Sequence, residues 1–243
     1  MEAGPTERAD RFATWAGALG DPAPPPRSGP TGLVAKLVAP RWRPQLRLLA
    51  TRALQPWARR RVGKLQARSG EPLRLHLGCG SAYKEGWVNI DLAGTRVDLP
   101  WDLRRPLPFA SGSIDAIFHE HLLEHLTYAQ GLELHQRCRL LLRPGGVLRI
   151  GVPDAGAALR SYAAPEPPGS WQSERWPTPL ARIASLTYDH GHRAIYDAET
   201  LELSCLAAGF SRAERREPGT GDVQPNPDSE RRRDSSVYVE AVA

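Results

Sequence analysis

Cysteine is scarce in this sequence. The chain of 243 residues contains three cysteines, Cys79, Cys138 and Cys205, and no two of them form a C-x-x-C pair. An odd number of widely spaced cysteines is typical neither of a disulfide framework nor of a structural zinc knuckle. The composition therefore favours a reducing compartment and predicts a cytoplasmic location.

Long apolar runs are also absent. No stretch of about 18 uninterrupted apolar residues occurs, which excludes an obvious membrane-spanning helix. The first ten residues, MEAGPTERAD, are polar and acidic, whereas a secretory signal begins with basic residues and continues into an apolar segment. We therefore expect a soluble, unexported protein, with one α/β core and an extension.

Acidic residues are missing from one part of the chain, the stretch between Asp21 and Glu71. Residues 1–70 carry 13 Arg and Lys against 4 Asp and Glu, whereas residues 71–243 carry 19 against 23. The net positive charge therefore belongs to the front of the chain, which predicts that any anionic partner binds there.

The composition divides the chain into three parts. Residues 1–30 are rich in proline and glycine and predict a disordered tail. Residues 31–70 alternate Leu, Val and Trp with Arg, which predicts a basic extension of short amphipathic helices. Three roles stay open for residues 31–68: packing on the chain's own acidic domain, contact with a protein or a membrane surface, and binding of nucleic acid, which is not favoured. A membrane-peripheral location is thus the alternative to a purely cytoplasmic one.

The third part, residues 71–243, alternates short apolar runs with helical periodicity, which predicts βαβ units and a mainly parallel sheet. The predicted strands cover residues 73–78, 88–92, 96–99, 114–118, 147–152, 211–216 and 236–242. The predicted helices cover residues 121–142 and 197–208, and the proline-rich stretch 163–179 is expected to be a loop.

A glycine turn follows the first predicted strand in the sequence HLGCGSA. Gly78 and Gly80 allow the backbone to bend sharply and to approach a ligand closely. A dinucleotide site would need a third glycine where Tyr83 stands, and the lysine of a phosphate-binding loop is missing. The turn therefore predicts a ligand that is neither a dinucleotide nor a nucleoside triphosphate.

Two carboxylates follow the next two strands. Asp91 ends the sequence NIDL, where its oxygens could accept hydrogen bonds from both hydroxyls of a ribose. Asp102 lies in WDLRRPLPF, where it could accept one from an exocyclic amine. In an open α/β sheet, ligands bind outside the carboxyl ends of the strands, so these groups are expected to line one edge.

Three ordered segments resemble successive motifs of the class I S-adenosylmethionine (SAM)-dependent methyltransferases. They are LHLGCGSAYKEGWVNIDL, DLRRPLPFASGSIDAIFHEHLLEHL and RCRLLLRPGGVLRIGVPD, which together cover residues 71–153. The later segment HRAIYDAETLELSCLAAGF is similar to the penultimate helix of that family. The similarity is greatest to small bacterial members associated with glycan or secondary-metabolite modification.

The resemblance implies an α/β, Rossmann-like, doubly wound sheet of seven strands with a reversed last strand. It implies SAM as cofactor, with its methionine end over Gly78, Cys79 and Gly80. The same resemblance implies that the ribose binds Asp91, that the adenine lies near Asp102 and Leu103, and that Glu120 also contacts the cofactor. Only seven residues separate Gly80 from Val88, so the helix expected after the turn is very short.

The stretch His121-Leu122-Leu123-Glu124-His125 matches the H-x-x-E-H pattern of inverted zinc proteases. A zinc hydrolase is therefore a minor alternative, but it needs a third ligand, and His135 would lie about four helical turns away. The resemblance instead assigns Glu124 and His125 to the scaffold. No residue is assigned as a metal ligand, and His121, just beyond a strand end, remains a candidate catalytic residue.

A second pair of histidines, His190 and His192, flanks Gly191. Either could act as a general base, together with Asp189 they could ligate a divalent ion, or both could brace the loop before the next helix. An oxygen acceptor needs a base more than an amine does, so these candidates favour O-methylation of a small-molecule or sugar acceptor. A methyltransferase acting on RNA or protein and a non-catalytic SAM-binding module remain the alternatives.

Overall fold

The computed structural model describes residues 42–67, 72–164, 178–188 and 191–243. The predicted disordered tail, most of the predicted loop at 163–179, and the candidate residue His190 lie outside these ranges. Within the described ranges, no helix combines the length and the apolar character needed to cross a membrane.

A seven-stranded sheet forms the centre of the molecule. Its strands are β1 (Arg74–Leu77), β2 (Val88–Asp91), β3 (Leu99–Pro100), β4 (Ile114–Glu120), β5 (Leu142–Pro153), β6 (Arg212–Arg216) and β7 (Ser236–Val242). They lie in the order β3-β2-β1-β4-β5-β7-β6, and β7 runs antiparallel to both of its neighbours. The order reverses between the parallel neighbours β1 and β4, as in doubly wound folds. The expected Rossmann-like α/β sheet with a reversed last strand is confirmed.

Six helices flank this sheet in the described ranges. They are α1 (Arg43–Ala53), α2 (Gln55–Gln66), α3 (Tyr128–Leu141), α4 (Ala155–Ala163), α5 (Pro179–Tyr188) and α6 (Ala198–Ala207). The predicted helix at 197–208 is confirmed, because Asp197 accepts a hydrogen bond from the Thr200 amide at 2.9 Å and caps α6.

The predicted helix at 121–142 is wrong at its start. Helix α3 begins at Tyr128, where the Thr127 side chain accepts from the Gln130 amide and the Gln130 side chain accepts from the Thr127 amide. The preceding residues form only a short 3-10 turn over Leu123–His125. His121 has φ 54, in the left-handed region, so an α-helix cannot start there.

One face of the sheet carries the main apolar core. Side chains of β1, β4 and β5 pack there against helices α2, α3 and α6. The contacting helical residues are small or branched and include Val62, Leu134 and Leu201, all at most 2% exposed. Burial of these apolar surfaces is the main stabilising contribution to the fold.

In the described ranges, turns and a small apolar cluster, and not packed helices, cover the middle of the other face of the sheet. Only turns connect β1 to β2, and the short connection from β2 to β3 also lacks a helix. A small cluster of Trp87, Phe118 and Val223 covers the middle of this face. The segment between β6 and β7 therefore occupies part of the space that crossover helices fill in a doubly wound sheet.

A buried ion network lies on this second face. Arg149 of β5 is fully buried, and its guanidinium donates to both oxygens of Asp228, with N···O distances of 2.6 Å and 2.5 Å. It also donates to Glu240 of β7 at 3.1 Å. The Glu240 carboxylate accepts in turn from the Asp222 amide at 2.8 Å. Arg149 thus links the sheet to the covering segment through bonds shielded from water.

Three histidines are buried in the sheet and in α3. Burial lowers the pKa of His76 and of His135 to about 4, and it lowers that of His119 well below the usual 6.5. The folded state therefore keeps these rings neutral, whereas the unfolded chain binds protons below pH 6.5. Stability is expected to decrease as the pH falls from about 6.5 to about 4, with these three histidines contributing up to about 4 kcal/mol per pH unit.

Urea unfolding between pH 7.5 and pH 5 measures this dependence. The variant His76→Gln should reduce this slope by up to about 1.4 kcal/mol per pH unit, because one titrating group is removed. A free energy of unfolding that stays constant or rises as the pH falls through this interval would contradict the expectation.

Candidate functional site

The glycine turn lies at the carboxyl end of β1, where the strand order reverses. Gly78 has φ 64 and Gly80 has φ 53, both in the left-handed region that favours glycine. A Cβ atom added to Gly78 would lie 2.8 Å from Leu122 Cδ1, so the turn packs directly against the end of β4. The Leu122 side chain therefore occupies the space that a Cβ atom at Gly78 would need.

No described helix follows this turn, although the resemblance implies a short one. Residues 81–87 are turns and irregular chain, and β2 begins at Val88. A bound carboxylate would thus find no helix N-terminus here, and the amides of Gly78, Cys79 and Gly80 already donate within the chain. Cys79 is buried, and burial with the nearby Asp91 raises the pKa of its thiol to about 12, so it remains protonated at neutral pH.

Asp91 is tied to the glycine turn. Its Oδ2 accepts from the Gly80 amide at 2.8 Å, and its Oδ1 accepts from the Leu92 amide at 2.6 Å. The side chain remains 19% exposed. A carboxylate has about four acceptor positions, so two remain for donors other than these amides.

Arg47 of α1 reaches the same carboxylate. Its Nη2 lies 3.4 Å from Asp91 Oδ1, and its guanidinium also donates to the carbonyls of Leu92 and Ala93. Thr51, one turn further along α1, accepts from the Ala93 amide at 2.8 Å. The first basic helix is therefore docked beside the predicted ribose position. Sequence reasoning missed Arg47, because nothing in an arginine-rich segment distinguishes one arginine from the others.

Asp102 lies beyond β3, at the same edge of the sheet, and Leu103 packs partly buried against the core. Arg104 holds Asp102 through two hydrogen bonds of 2.8 Å, one to each carboxylate oxygen. These bonds hold the pKa of Asp102 below its usual range. Asp102 is thus ionised and oriented, and an adenine amine would have to share it with Arg104.

Glu120, the last residue of β4, points into the second face of the sheet. Its Oε1 accepts from the Tyr238 hydroxyl at 2.7 Å and from the Ser229 amide at 3.0 Å, and Arg232 lies 3.6 Å from its Oε2. These contacts give Glu120 a role in holding the covering segment to the sheet.

A cavity of about 340 Å³ lies next to the Asp91 edge. It is lined by Trp57 of α2, by residues 93–95 of the β2–β3 connection, and by Pro100 of β3. The basic helices therefore form one wall of a cavity that no sequence motif predicted.

His121 is held at the end of β4. Its Nε2 lies 2.9 Å from Ser236 Oγ, and its Nδ1 lies 3.3 Å from Glu124 Oε1. Burial, reinforced by the charge of Arg232, lowers the pKa of His121 to about 3. The ring is therefore neutral at physiological pH and is a weak proton acceptor.

Three other side chains converge beside His121. Glu124 and His125 of the 3-10 turn meet His192, and one ligand atom from each lies within 4.8 Å of the others. His125 and His192 face each other edge to face, with ring centroids 5.0 Å apart. Glu124 is 2% exposed, and burial raises the pKa of its carboxyl to about 7. The sequence motif placed His121 and His125 on one helix, whereas the structure brings His192 to the pair Glu124 and His125.

The zinc-hydrolase alternative is unsupported. Its motif requires both histidines on one α-helix with the glutamate acting on water, but residues 121–125 form no α-helix. Glu124 faces His125 and His192 directly, so it occupies the position of a ligand and not that of a base.

The chain is similar in structure to known methyltransferases. A SAM-dependent methyltransferase from Archaeoglobus fulgidus has 14% sequence identity and a TM-score of 0.47, over 81% of this chain and 94% of that one. An S-adenosylmethionine-dependent methyltransferase from Mesorhizobium loti has 19% identity and a TM-score of 0.43, over 79% and 98%. No family model and no curated protein matches the sequence.

The order of the strands, with β7 reversed, defines the fold independently of these similarities. It is the seven-stranded sheet with a reversed last strand that the resemblance of the sequence motifs implied. The motifs and the observed glycine turn and carboxylates fall on the same edge of that sheet.

Proposed function

We propose that this chain is a class I methyltransferase that transfers a methyl group from SAM to an oxygen of a small-molecule or glycan acceptor. The observation that carries the proposal is the hydrogen bond between Asp91 and the Gly80 amide. It joins the glycine turn at the carboxyl end of β1 to a carboxylate that can accept from a ribose hydroxyl.

The residues present fit SAM. Gly78 and Gly80 take the left-handed conformation that lets a ligand approach a backbone turn closely. The amides of Gly78, Cys79 and Gly80 already donate to the Ile90 carbonyl and to Asp91, so other groups at this edge would hold the methionine carboxylate. Asp91 can accept from a ribose hydroxyl, and Asp102 lies beyond it at the same edge. When bound, SAM supplies a methyl group on a sulfonium, which is an excellent leaving group.

The protein then has to position the acceptor and exclude water. Alignment of donor and acceptor can contribute up to about 7–11 kcal/mol to the reduction of the barrier. The acceptor wall in this proposal consists of α4, α5 and the segment around His192, since these elements lie beyond β5 at the carboxyl edge. In this proposal, the wall holds the acceptor close to the methyl group.

Among the predicted bases, His192 has the most suitable hydrogen bonding. Its Nδ1 lies 2.9 Å from the Leu186 carbonyl, which can only accept, so Nδ1 carries the proton and Nε2 carries the lone pair. His121 has a pKa near 3 and is better suited to orient a hydroxyl than to remove its proton. His190 remains a candidate base outside the described residues.

Titration calorimetry with S-adenosylhomocysteine (SAH), the demethylated product, tests the cofactor assignment. We expect one site per chain, and absence of binding heat at both of two temperatures would refute the proposal. Incubation with methyl-labelled SAM and a fractionated extract then identifies the acceptor. Label in a small-molecule or glycan fraction supports the proposal, and SAH binding without any label supports the non-catalytic module.

The alternative is a macromolecular acceptor, and the surface of α1 and α2 supports this alternative. Trp42, Leu46, Leu49 and Trp57 are each more than 40% exposed, and arginines lie between them. An RNA acceptor would be retained with strong salt dependence and would carry the label. If RNA is neither retained nor labelled, we propose that this surface contacts a protein or a membrane. The protein would then be cytoplasmic or membrane-peripheral.

A further inference from the structure

A buried carboxylate in the described site has no hydrogen-bond donor. Both side-chain oxygens of Glu124 are inaccessible to water and accept no hydrogen bond from any described residue. The nearest group, Nδ1 of His121 at 3.3 Å from Oε1, does not meet hydrogen-bond geometry. Burying a polar group without a partner is unfavourable, so this carboxylate requires a cation or a proton.

The two histidines of the cluster face this carboxylate. Ligand atoms of Glu124, His125 and His192 lie within 4.8 Å of one another, although the two segments are far apart in sequence. The cluster is fixed from both sides, because the Arg193 amide donates to the Glu124 carbonyl at 2.7 Å. The side chains are thus brought together by the backbone of the two segments.

His192 also has the outer contact that is common in metal sites. A histidine that binds a metal usually donates its other ring N–H to a carbonyl or carboxylate, which fixes its tautomer and orientation. The Leu186 carbonyl at 2.9 Å accepts from Nδ1 of His192 in this way. Nε2 is therefore the ligand atom of this ring.

We propose that Glu124, His125 and His192 bind one divalent ion of the zinc type. Two imidazole nitrogens and one carboxylate oxygen form the ligand set of three-ligand zinc sites, which keep a fourth position open. Bonds of about 2.0–2.1 Å hold ligand atoms about 3.4 Å apart, so the cluster would contract by up to about 1.4 Å on binding. His125 is exposed, so this contraction does not require a change in the core.

The site lies next to the cofactor position. Leu122, two residues before Glu124, contacts the Gly78 turn. A role in catalysis rests on the proposed function: the open position would receive a hydroxyl of the acceptor and lower its pKa, as zinc does for bound water. The ion would then activate the acceptor in place of His192, whose Nε2 cannot bind the metal and act as a base at the same time. Metal binding itself does not depend on that function.

Zinc titration of the full-length protein tests the site. The protein is stripped with a chelator, titrated with ZnCl2 by calorimetry, and its metal content is then measured. We expect one ion per chain. The variants His125→Ala, His192→Ala and Glu124→Gln should each bind zinc at least about 100-fold more weakly, since loss of an outer contact alone typically costs about 10–100-fold.

Tyr128→Phe is the matched control. Its hydroxyl donates to the Ile195 carbonyl beside the cluster at 2.6 Å but supplies no ligand, so zinc affinity should be unchanged. Thermal unfolding without zinc establishes that each variant is folded. His125→Ala keeps the test valid if Glu124→Gln is unstable, because His125 is exposed.

Two results would overturn the proposal. One is the absence of zinc binding, and the other is one bound ion whose affinity none of the three variants changes, which would place it on other ligands such as the cysteines. SAH binding is measured on the same samples. SAH binding without zinc binding refutes only the metal site, and zinc binding without SAH binding refutes only the methyltransferase.

Discussion

Replacing Asp91 by alanine is expected to weaken SAH binding by about 10–100-fold. Two amides and Arg47 leave one acceptor position of Asp91 for the ribose, and one hydrogen bond to a charged acceptor typically contributes about 1.5–3 kcal/mol. The Gly80 amide would also lose its 2.8 Å partner, so the turn would become less ordered. Calorimetric titration with SAH measures the change. The variant Asp91→Asn keeps one acceptor oxygen, so its affinity for SAH should lie between those of the parent protein and of Asp91→Ala.

Asp115→Ala is the matched control for this variant. Asp115 is also a carboxylate of the central sheet that accepts from a backbone amide, that of Leu73 at 2.7 Å, but it lies at the start of β4, at the opposite edge. It should leave SAH affinity unchanged. Equal loss of affinity in Asp91→Ala and Asp115→Ala would show a general loss of folding and would remove the assignment of Asp91 to the ribose.

Replacing Arg149 by alanine is expected to lower the free energy of unfolding by about 3–5 kcal/mol, the range found when one partner of a buried ion pair is removed. Asp228 and Glu240 would remain as buried carboxylates without their common cation. A domain typically has only about 5–15 kcal/mol of stability, so this loss is a large part of the total. Urea unfolding at pH 7.5 measures it.

Arg143→Ala provides the comparison for Arg149→Ala. Arg143 also pairs with a carboxylate, Asp115 at 2.7 Å, but its side chain is 57% exposed. Exposed pairs contribute about 0–1 kcal/mol, so this variant should be almost as stable as the parent protein. The triple variant Arg149→Met, Asp228→Asn, Glu240→Gln should recover part of the loss, because no buried charge of the network remains unpaired. Similar stability of the two single arginine variants would contradict the role of the network.

The sheet could be predicted from the sequence to a large extent. The run SVYVEAV corresponds to β7, found at Ser236–Val242, because an apolar run bounded by polar residues has few alternative structures. Other boundaries were less accurate. The third strand, predicted at 96–99, is a two-residue strand at Leu99–Pro100, since its extent depends on pairing with β2 and not on its own residues.

The arrangement of the histidines around Glu124 could not be predicted from the sequence. The motif around Glu124 is local, and its expected helix failed because His121 takes a left-handed conformation that no periodicity reveals. The approach of His192 to Glu124 depends on the path of the chain between them. Arg149 lies in a strand pattern where an arginine suggests a solvent-facing position, and only the packing of the segment after β6 explains its burial.

The contact between Arg47 and Asp91 couples two parts of the protein thermodynamically. Because α1 touches the carboxylate assigned to the ribose, occupancy at Asp91 and the placement of α1 influence each other. Such coupling is reciprocal. A molecule that binds the exposed side chains of α1 and shifts the helix would change the affinity for the cofactor by some factor, and the bound cofactor would change the affinity for that molecule by the same factor. The basic helix α1 is thereby energetically linked to the pocket proposed for the methyl donor.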